Sequence, residues 1–288
     1  MNAYLKKCVN LLPDKAAICL KYYYHFRRFP NLKDPKTYNE KIQWLKLYDH
    51  NPIYVQMVDK YEAKKYVEKT LGGHYVVPTY GVWNTFDEID FCKLPQMFVL
   101  KTTHDCGGVF IVKNKDDLNI ENCRKFINQH LKCNYFYEGR EWPYKKVVPR
   151  IIAEKYILDE ATENLKDYKF FAYDGVVRAL FVASDRQSDE SETKFDFFDR
   201  EFNHLEIING HPNSSKGIEK PSNFGLMINL AERLSNGFPH IRVDFYESEG
   251  KLFVGELTLY HYSGMVPFVP EEWDYKFGEW LKLPSIIK

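Results

Sequence analysis

The sequence lacks a net charge: 40 Lys and Arg offset 40 Asp and Glu in 288 residues. No global field draws the chain to nucleic acid or anionic lipid, and any basic site has to be local. Paired cysteines are missing as well. Cys8, Cys19, Cys92, Cys106, Cys123 and Cys133 are scattered without a CxxC motif, which predicts reduced thiols in a chain large enough to fold without cross-links. A zinc site would have to enlist His104 and Cys106 with distant partners. Long apolar runs are absent too. In MNAYLKKCVNLLPDKAAICL the apolar pieces are broken by Lys6, Lys7, Asp14 and Lys15, too short for a signal core or a membrane span, so the chain is expected in the cytoplasm. There is no internal repeat, low-complexity tract or Pro/Gly/Ser-rich linker. Aromatic residues are abundant, with 21 Tyr, 21 Phe and 5 Trp, enough apolar mass for one large domain or two to three lobes that share interfaces.

The first seventy residues read as helical. Asp14 is placed to cap a helix over 14–29 that Pro30 stops, and Thr37 with Glu40 three residues on forms a capping box for a helix to Tyr48. Asp59 and Glu62 repeat the pattern before a helix that Gly72 and Gly73 end. From Tyr75 the period shortens. YVVPTYGVW, MFVLK, VFIVK, VVPRIIAEKYI, YKFFAYDGVVRALFVAS and KFDFFDREF are rich in β-branched and aromatic residues and read as strands. Helices interrupt them at 119–131 and at 222–235, the second with Ser222 as cap. HIRVDFYESEGKLFVGELTLY reads as a hairpin around a Glu-Gly turn, so residues 75–262 are predicted to be mixed α+β with antiparallel hairpins.

Four constellations carry polar residues where plain strands would not need them. On the hairpin, Arg242 and Asp244 project from one face, opposite Val243 and Phe245, and Glu256 and Thr258 alternate in the same way with Leu257 and Leu259. Two carboxylates and an Arg thus converge, a donor set that suits magnesium shared with phosphates; cross-strand Arg to Glu pairing accommodates the same residues. In FVLKTTHDCGGVFIV a strand delivers Lys101 to a loop ending in Gly107 and Gly108. Backbone N–H groups there can cradle phosphate, although GxxxxGK[ST] spacing is absent and a plain hairpin turn fits equally. RIIAEKYILDE ends a strand in Glu154, Lys155 and Tyr156 before acidic residues, which can serve a base edge and a ribose or be a solvated strand end. KDYKFFAYDG places Lys169 among aromatics, where it needs a carboxylate or phosphate partner or must snorkel.

The order of TYNEKIQWLKLYD, DKYEAKKYV, FVLKTTHDCGG, EKYI, DYKFFAYDG, RVDFY and VGELTLYHYSG resembles the TupA-like ATP-grasp proteins, named for teichuronopeptide biosynthesis. DKYEAKKYV, its Gly pair and VVPTY also look like the helix before the central lobe of D-alanine ligase type enzymes. The resemblance implies an α+β ATP-grasp fold: a helical N-terminal portion over 1–74, a central lobe over 75–153, and a C-terminal lobe over 154–288 with the metal hairpin. ATP would lie between the two α+β lobes. Carried over residue by residue, Lys101 and Lys60 would contact phosphates, and Thr102 to Gly108, including Gly107, would be the mobile loop above them. Glu154 with the backbone of Lys155, Tyr156 and Ile157 would form the adenine hinge, with Asp159 or Glu160 near the ribose. Lys169 would face the phosphates from below, Asp244, Glu256 and Thr258 would hold Mg2+, and Arg242 would stabilise transferred phosphoryl charge.

Two departures bear on this. Relatives tend to have THGSGG where this chain has Thr103-His104-Asp105-Cys106-Gly107-Gly108, and usually Pro where it has His261. The resemblance implies a carboxylate-amine ligase forming an amide through an acyl phosphate, with ATP and Mg2+ as cofactors. Its partners would be a small-molecule or saccharide carboxylate and an amine, in bacterial surface polysaccharide or capsule biosynthesis. An ATP-dependent sugar kinase and a non-catalytic carbohydrate-binding protein are the alternatives.

Overall fold

The structure, a computed structural model, describes residues 3–157, 166–184 and 192–285. The chain begins with α1 (Ala3–Asn10), α2 (Asp14–Phe26), α3 (Tyr38–Tyr48), α4 (Ile53–Val58) and α5 (Glu62–Leu71). The Thr37 capping box is present: Thr37 Oγ1 accepts from Glu40 N at 3.2 Å, and Glu40 Oε2 accepts from Thr37 N at 3.4 Å. Asp14 does not cap α2 as expected. Pro13 holds the cap position, and the Asp14 carboxylate is drawn instead to Arg140 at 2.8 Å and Lys145 at 3.0 Å. Nor does Pro30 stop the helix. Arg27 ends it in a left-handed conformation (φ 58°), its N–H bonded to Tyr23 O. Between α4 and α5, Asp59 Oδ1 accepts from the backbone of Tyr61 at 2.8 Å and Glu62 at 3.2 Å, so Asp59 caps the turn leading into α5, while Tyr61 holds the helix's cap position and Glu62 pairs with Lys65 and Arg150 instead of reaching back to Asp59.

Two antiparallel sheets follow. β1 (Thr79–Trp83), β2 (Phe98–Thr102), β3 (Val109–Val112) and β4 (Ile151–Lys155) form a four-stranded sheet in the order β1-β4-β2-β3, with α6 (Ile120–Leu131) and α7 (Phe136–Gly139) between β3 and β4 in sequence. β5 (Asp167–Tyr173), β6 (Val176–Ser184), β7 (Lys194–Asp199), β8 (His204–Leu205), β9 (Ile241–Ser248) and β10 (Lys251–Thr258) form a six-stranded sheet in the order β10-β9-β5-β6-β7-β8. α8 (Phe224–Ser235) precedes β9, and α9 (Glu272–Trp280) follows β10. Ser222 is not the cap of α8: it lies inside a turn closed by Phe224 N to Pro221 O at 3.1 Å, and Asn223 takes the cap position. The sheet boundary also differs from the expected break after residue 153, because β4 continues through Glu154 and Lys155 in the small sheet.

Period-two alternation decides what each sheet buries. In the small sheet Phe98, Leu100, Ile151 and Ala153 meet Cys123 and Ile127 of α6, so Val99, Lys101 and Glu154 face the other way. In the large sheet Phe170, Val243 and Phe245 point toward α8, where Phe170 and Phe224 lie 5.9 Å apart. On its opposite face Phe171 packs under α3 and α9, 6.4 Å from the Tyr38 ring and 5.1 Å from Phe277. Helices α3, α4 and α5 therefore share the large sheet's core. Further along that face stand Asp167, Lys169 and Asp244. The polar faces of the two sheets border one cleft, and a bridge between Val76 and Val254 ties the small sheet's approach to β10.

Candidate active site

The small-sheet side of the cleft is organised by one carboxylate. Glu154 is buried, and its two oxygens meet Lys64 Nζ at 2.6 Å and Lys101 Nζ at 2.5 Å. Burial alone would raise its pKa, but Lys101 and Lys64 outweigh that and hold it at about 2. Burial lowers the pKa of Lys64, with Glu154 opposing. Lys64 also donates to Val77 O at 2.6 Å, so α5 is fastened to the approach to β1. Lys60, one helical turn earlier, donates to the Asp105 carbonyl.

The large-sheet side is a buried charge network. Asp244 is fully buried and receives a bidentate fork from Arg242, Nε to Oδ1 at 2.7 Å and Nη2 to Oδ2 at 2.8 Å. Lys169 also donates to Asp244 and lies 2.5 Å from Asp167. Burial disfavours the Asp244 carboxylate, yet Arg242 and Lys169 hold it below its ordinary range. Arg242 Nη2 further donates to Thr258 Oγ1 at 2.9 Å, and Nη1 donates to His261 Nδ1 at 2.7 Å. That bond leaves the proton of His261 on Nε2, which donates to Asn209 Oδ1 at 2.9 Å. Burial first and Arg242 second push the His261 pKa well down, so the ring is neutral.

A bulge sets the position of Glu256. Val254 pairs with Phe245 while Glu256 pairs with Asp244, so β10 carries one extra residue, Gly255. Without it Glu256 would share the face of Phe245 and point away from Asp244. A side chain at Gly255 would put its Cβ 2.3 Å from the Tyr246 ring. Glu256 itself is exposed, 3.6 Å from Arg242 Nη2.

The loop between β2 and β3 hides the charge that sets it apart. Asp105 is buried, accepts from the Thr102 hydroxyl, and meets His130 Nδ1 of α6 at 2.5 Å. Its carboxylate is thus turned into the loop rather than presented to the cleft. His104 Nε2 lies 3.0 Å from Cys133 O, and Thr103 N donates to Arg150 O at 2.9 Å. Gly108 is required here, since a Cβ would lie 1.9 Å from Thr102 Oγ1.

The cleft has a volume of about 440 Å³ and brings together Lys60, Lys101, Gly107, Glu154, Lys155, Tyr156, Ile157, Lys169 and Glu256 from the expected set. Val99 and Ile111, two residues along their strands from Lys101 and Val109, add an apolar wall beside the lysines. A narrow recess behind it shares Lys60, Lys101, Glu154 and Glu256 and is lined by Lys64. Thr102 and Gly108 belong to the loop's inner framework, and Arg242, Asp244 and Thr258 lie beneath the cleft floor. Asp159 and Glu160 lie outside the described residues. Sequence reasoning missed Lys64, which lies on α5 four residues after Lys60 of the preceding turn. It also missed Asp167, two residues before Lys169 on the same strand face. The expected magnesium ligands do not form a ready cage: Asp244 is engaged by two cations, the Thr258 hydroxyl accepts from Arg242, and Glu256 alone is open. Among the described residues no cluster of three or more His, Cys, Asp or Glu side chains is arranged to hold a metal ion. His104 and Cys106 are likewise in no such cluster.

Two antiparallel sheets thus border a lysine-lined cleft with an apolar wall. The TupA-like ATPgrasp family model matches residues 40–282, and the chain belongs to that family. No match is found among curated proteins. Similar solved structures include D-alanine--D-alanine ligase from Bacillus anthracis complexed with ATP, at 17% identity and TM-score 0.43 over 70% of this chain and 54% of that one. L-amino acid ligase from Bacillus licheniformis aligns at 11% identity and TM-score 0.49, over 88% of this chain and 56% of that chain. D-Alanine-D-Alanine Ligase from Helicobacter pylori aligns at 13% identity and TM-score 0.45, over 85% and 69%. The chain thus spans only about half to two thirds of the length of these proteins. No helix among the described residues is long and apolar enough to cross a membrane.

Proposed function

We propose that this chain is an ATP-dependent carboxylate-amine ligase that works through an acyl phosphate and releases ADP and phosphate. Its setting would be cytoplasmic synthesis of a bacterial surface polysaccharide, capsule or teichuronopeptide-like, with a uronic acid or amino-acid carboxylate as acceptor of the phosphoryl group. The observation that carries the reading is the convergence of Lys101 and Lys169 from the two sheets and Lys60 from the turn before α5 on one cleft with an apolar wall, in a chain of the ATP-grasp family. The base would rest against Val99, Ile111 and Ile157 beside the hinge at Lys155 to Ile157. The phosphates would take the lysines that Glu154 and Asp244 now hold.

Magnesium fits only as an ion that arrives with phosphates and takes one or two carboxylates: Glu256, which is open, and Asp244 across the strand pair, with Thr258 beside them. Bound there, it would neutralise charge on the transferred phosphoryl group. The chain's own residues supply the rest. Lys101 and Lys60 orient phosphate oxygens, Lys169 supports them from the large sheet, and Arg242, fixed by Asp244 and His261, faces the charge that develops on transfer.

Calorimetry with ATP and ADP tests the nucleotide site, and ADP release with panels of carboxylates and amines tests the reaction. Binding that Lys101→Ala weakens while the protein stays folded is expected, as is ADP release that requires both substrates. No binding at millimolar nucleotide would refute the reading. ADP release driven by a saccharide hydroxyl without an amine would move the assignment to a kinase.

A further inference from the structure

The two helices ahead of the family match carry a surface that the cleft does not use. α2 buries Ala17, Ile18, Lys21 and Tyr22 against the body of the protein and turns a second apolar stripe outward. Ala16, Leu20 and Tyr23 recur at i, i+4 and i+7, one face of a helix, and Leu20 and Tyr23 are 42% and 44% exposed. Phe29, 61% exposed, stacks on Tyr23 with ring centroids 4.9 Å apart. Leu11, 88% exposed, stands ahead of the helix's first turn. A single exposed Leu is ordinary, whereas a contiguous stripe of Leu and aromatic rings marks an interaction face.

Exposed cations lie close to this stripe in the sequence. Lys7, Lys15, Arg27 and Lys33 are exposed, and residues 3–36 hold eight Lys or Arg against two Asp in a chain that is neutral overall; of the other four cations Lys21 is buried, and Lys6, Arg28 and Lys36 pair with Glu138, Glu271 and Asp34. Of the two acids, Asp14 is already engaged by Arg140 and Lys145. Two copies meeting through this face would bring their cations together, so a second copy is a poor occupant. A surface of negative charge over an apolar interior is a good one: basic side chains meet headgroups while Leu, Tyr and Phe enter the interfacial layer. We propose that the outward face of α2, with Leu11 and Phe29, is a docking surface for an anionic phospholipid membrane, on which the protein lies without spanning it.

Flotation of the full-length protein with vesicles tests this, using phosphatidylcholine alone or with one-third phosphatidylglycerol, at low and at high salt. Roughly tenfold or stronger preference for the anionic vesicles is expected, because each cation near such a surface contributes about fivefold in partition, and high salt should remove the preference. Leu20→Glu with Phe29→Glu should abolish flotation with an unchanged melting temperature. Lys7→Gln with Lys15→Gln alters no buried side chain, keeps the test valid if the first variant fails to fold, and should weaken flotation more than tenfold. Flotation that ignores lipid charge, or persists in both variants, overturns the proposal, as does its absence with either vesicle. A dimer on gel filtration that Leu20→Glu dissolves would assign the face to a second copy instead.

Discussion

Glu154→Gln keeps the shape of the side chain and removes the charge between Lys64 and Lys101. A carboxyl held at about 2 instead of near 4.5 contributes about 3 kcal/mol to folding at neutral pH. Removing one member of a buried ion set generally costs about 3–5 kcal/mol, because the remaining charges are left without a partner; Lys101 is partly open to water, which argues for the lower end. The variant should therefore lose about 3 kcal/mol at pH 7, on the order of 5–10 °C in melting temperature for a chain of this size. The pH dependence has a definite sign. The native pKa is depressed, so the contribution is complete above the unfolded value near 4.5 and disappears as pH falls toward about 2. The variant should lack that acid limb, and the gap between the two proteins should close over that interval. A second readout concerns the freed lysines. With no carboxylate between them they should bind inorganic triphosphate more tightly, so that ligand should raise the melting temperature of the variant by more than that of wild type. Thermal unfolding of both proteins from pH 7 downward, with and without triphosphate, makes the measurement. Equal melting temperatures at pH 7 would refute the claim that a stabilising charge sits at Glu154.

Glu256→Gln should abolish nearly all ADP release while changing stability by no more than about 0.5 kcal/mol, since Glu256 is exposed and its Arg242 contact is long; parallel turnover and melting assays decide, and full turnover would end its assigned role. His240, held at about 3 by burial, and His261 stay neutral in the fold but take protons when unfolded. Stability should thus fall as pH drops below about 6.5, by roughly 4 kcal/mol at pH 5 for the two together; nitrogen NMR should show His261 protonated on Nε2 alone across that range. Gly108→Ala drives a methyl into Thr102 Oγ1 and Asp105 and should cost about 1–3 kcal/mol. Adding Thr102→Ser, which keeps the hydroxyl, should rescue little in urea unfolding.

Much of this arrangement was legible because its signals are local. Strand alternation put Arg242 with Asp244 on one face and Glu256 with Thr258 on one face, and the bulge at Gly255 that turns the two pairs to the same side stayed hidden; Thr37 with Glu40 announced the start of α3. What else stayed hidden depends on partners far along the chain. Lys46 reads as a solvated helix charge, yet it is buried and donates to Gly139 O at 2.8 Å and Ser263 O at 2.9 Å, residues that only the tertiary fold brings to it. Asp105 sets the loop apart in sequence by its charge, and the concealment of that charge depends on His130 of a helix that begins fifteen residues later. The caps of α2 and α8 were misplaced for a related reason. Asp14 and Ser222 have the right chemistry for capping, but a distant Arg140 and a local turn at Pro221 took them first.

The cleft's ionic arrangement has a consequence for how a ligand enters. Lys60, Lys64, Lys101, Lys169 and Arg242 face Glu154, Asp167, Asp244 and Glu256, five cations against four carboxylates. A protein built only for stability would replace such a buried set with apolar side chains at little cost. Here Lys64 and Lys101 are held by Glu154 and Lys169 by Asp167 and Asp244, while Lys60 is held by the Asp105 carbonyl, each aimed and already stripped of part of its water. An incoming polyanion then meets cations whose desolvation was met during folding, and binding requires an exchange of partners rather than the capture of loose side chains. Glu256 is the exception, exposed and only distantly paired. It is the one carboxylate of the set free to meet an accompanying cation, and the bulge at Gly255 is what aims it there.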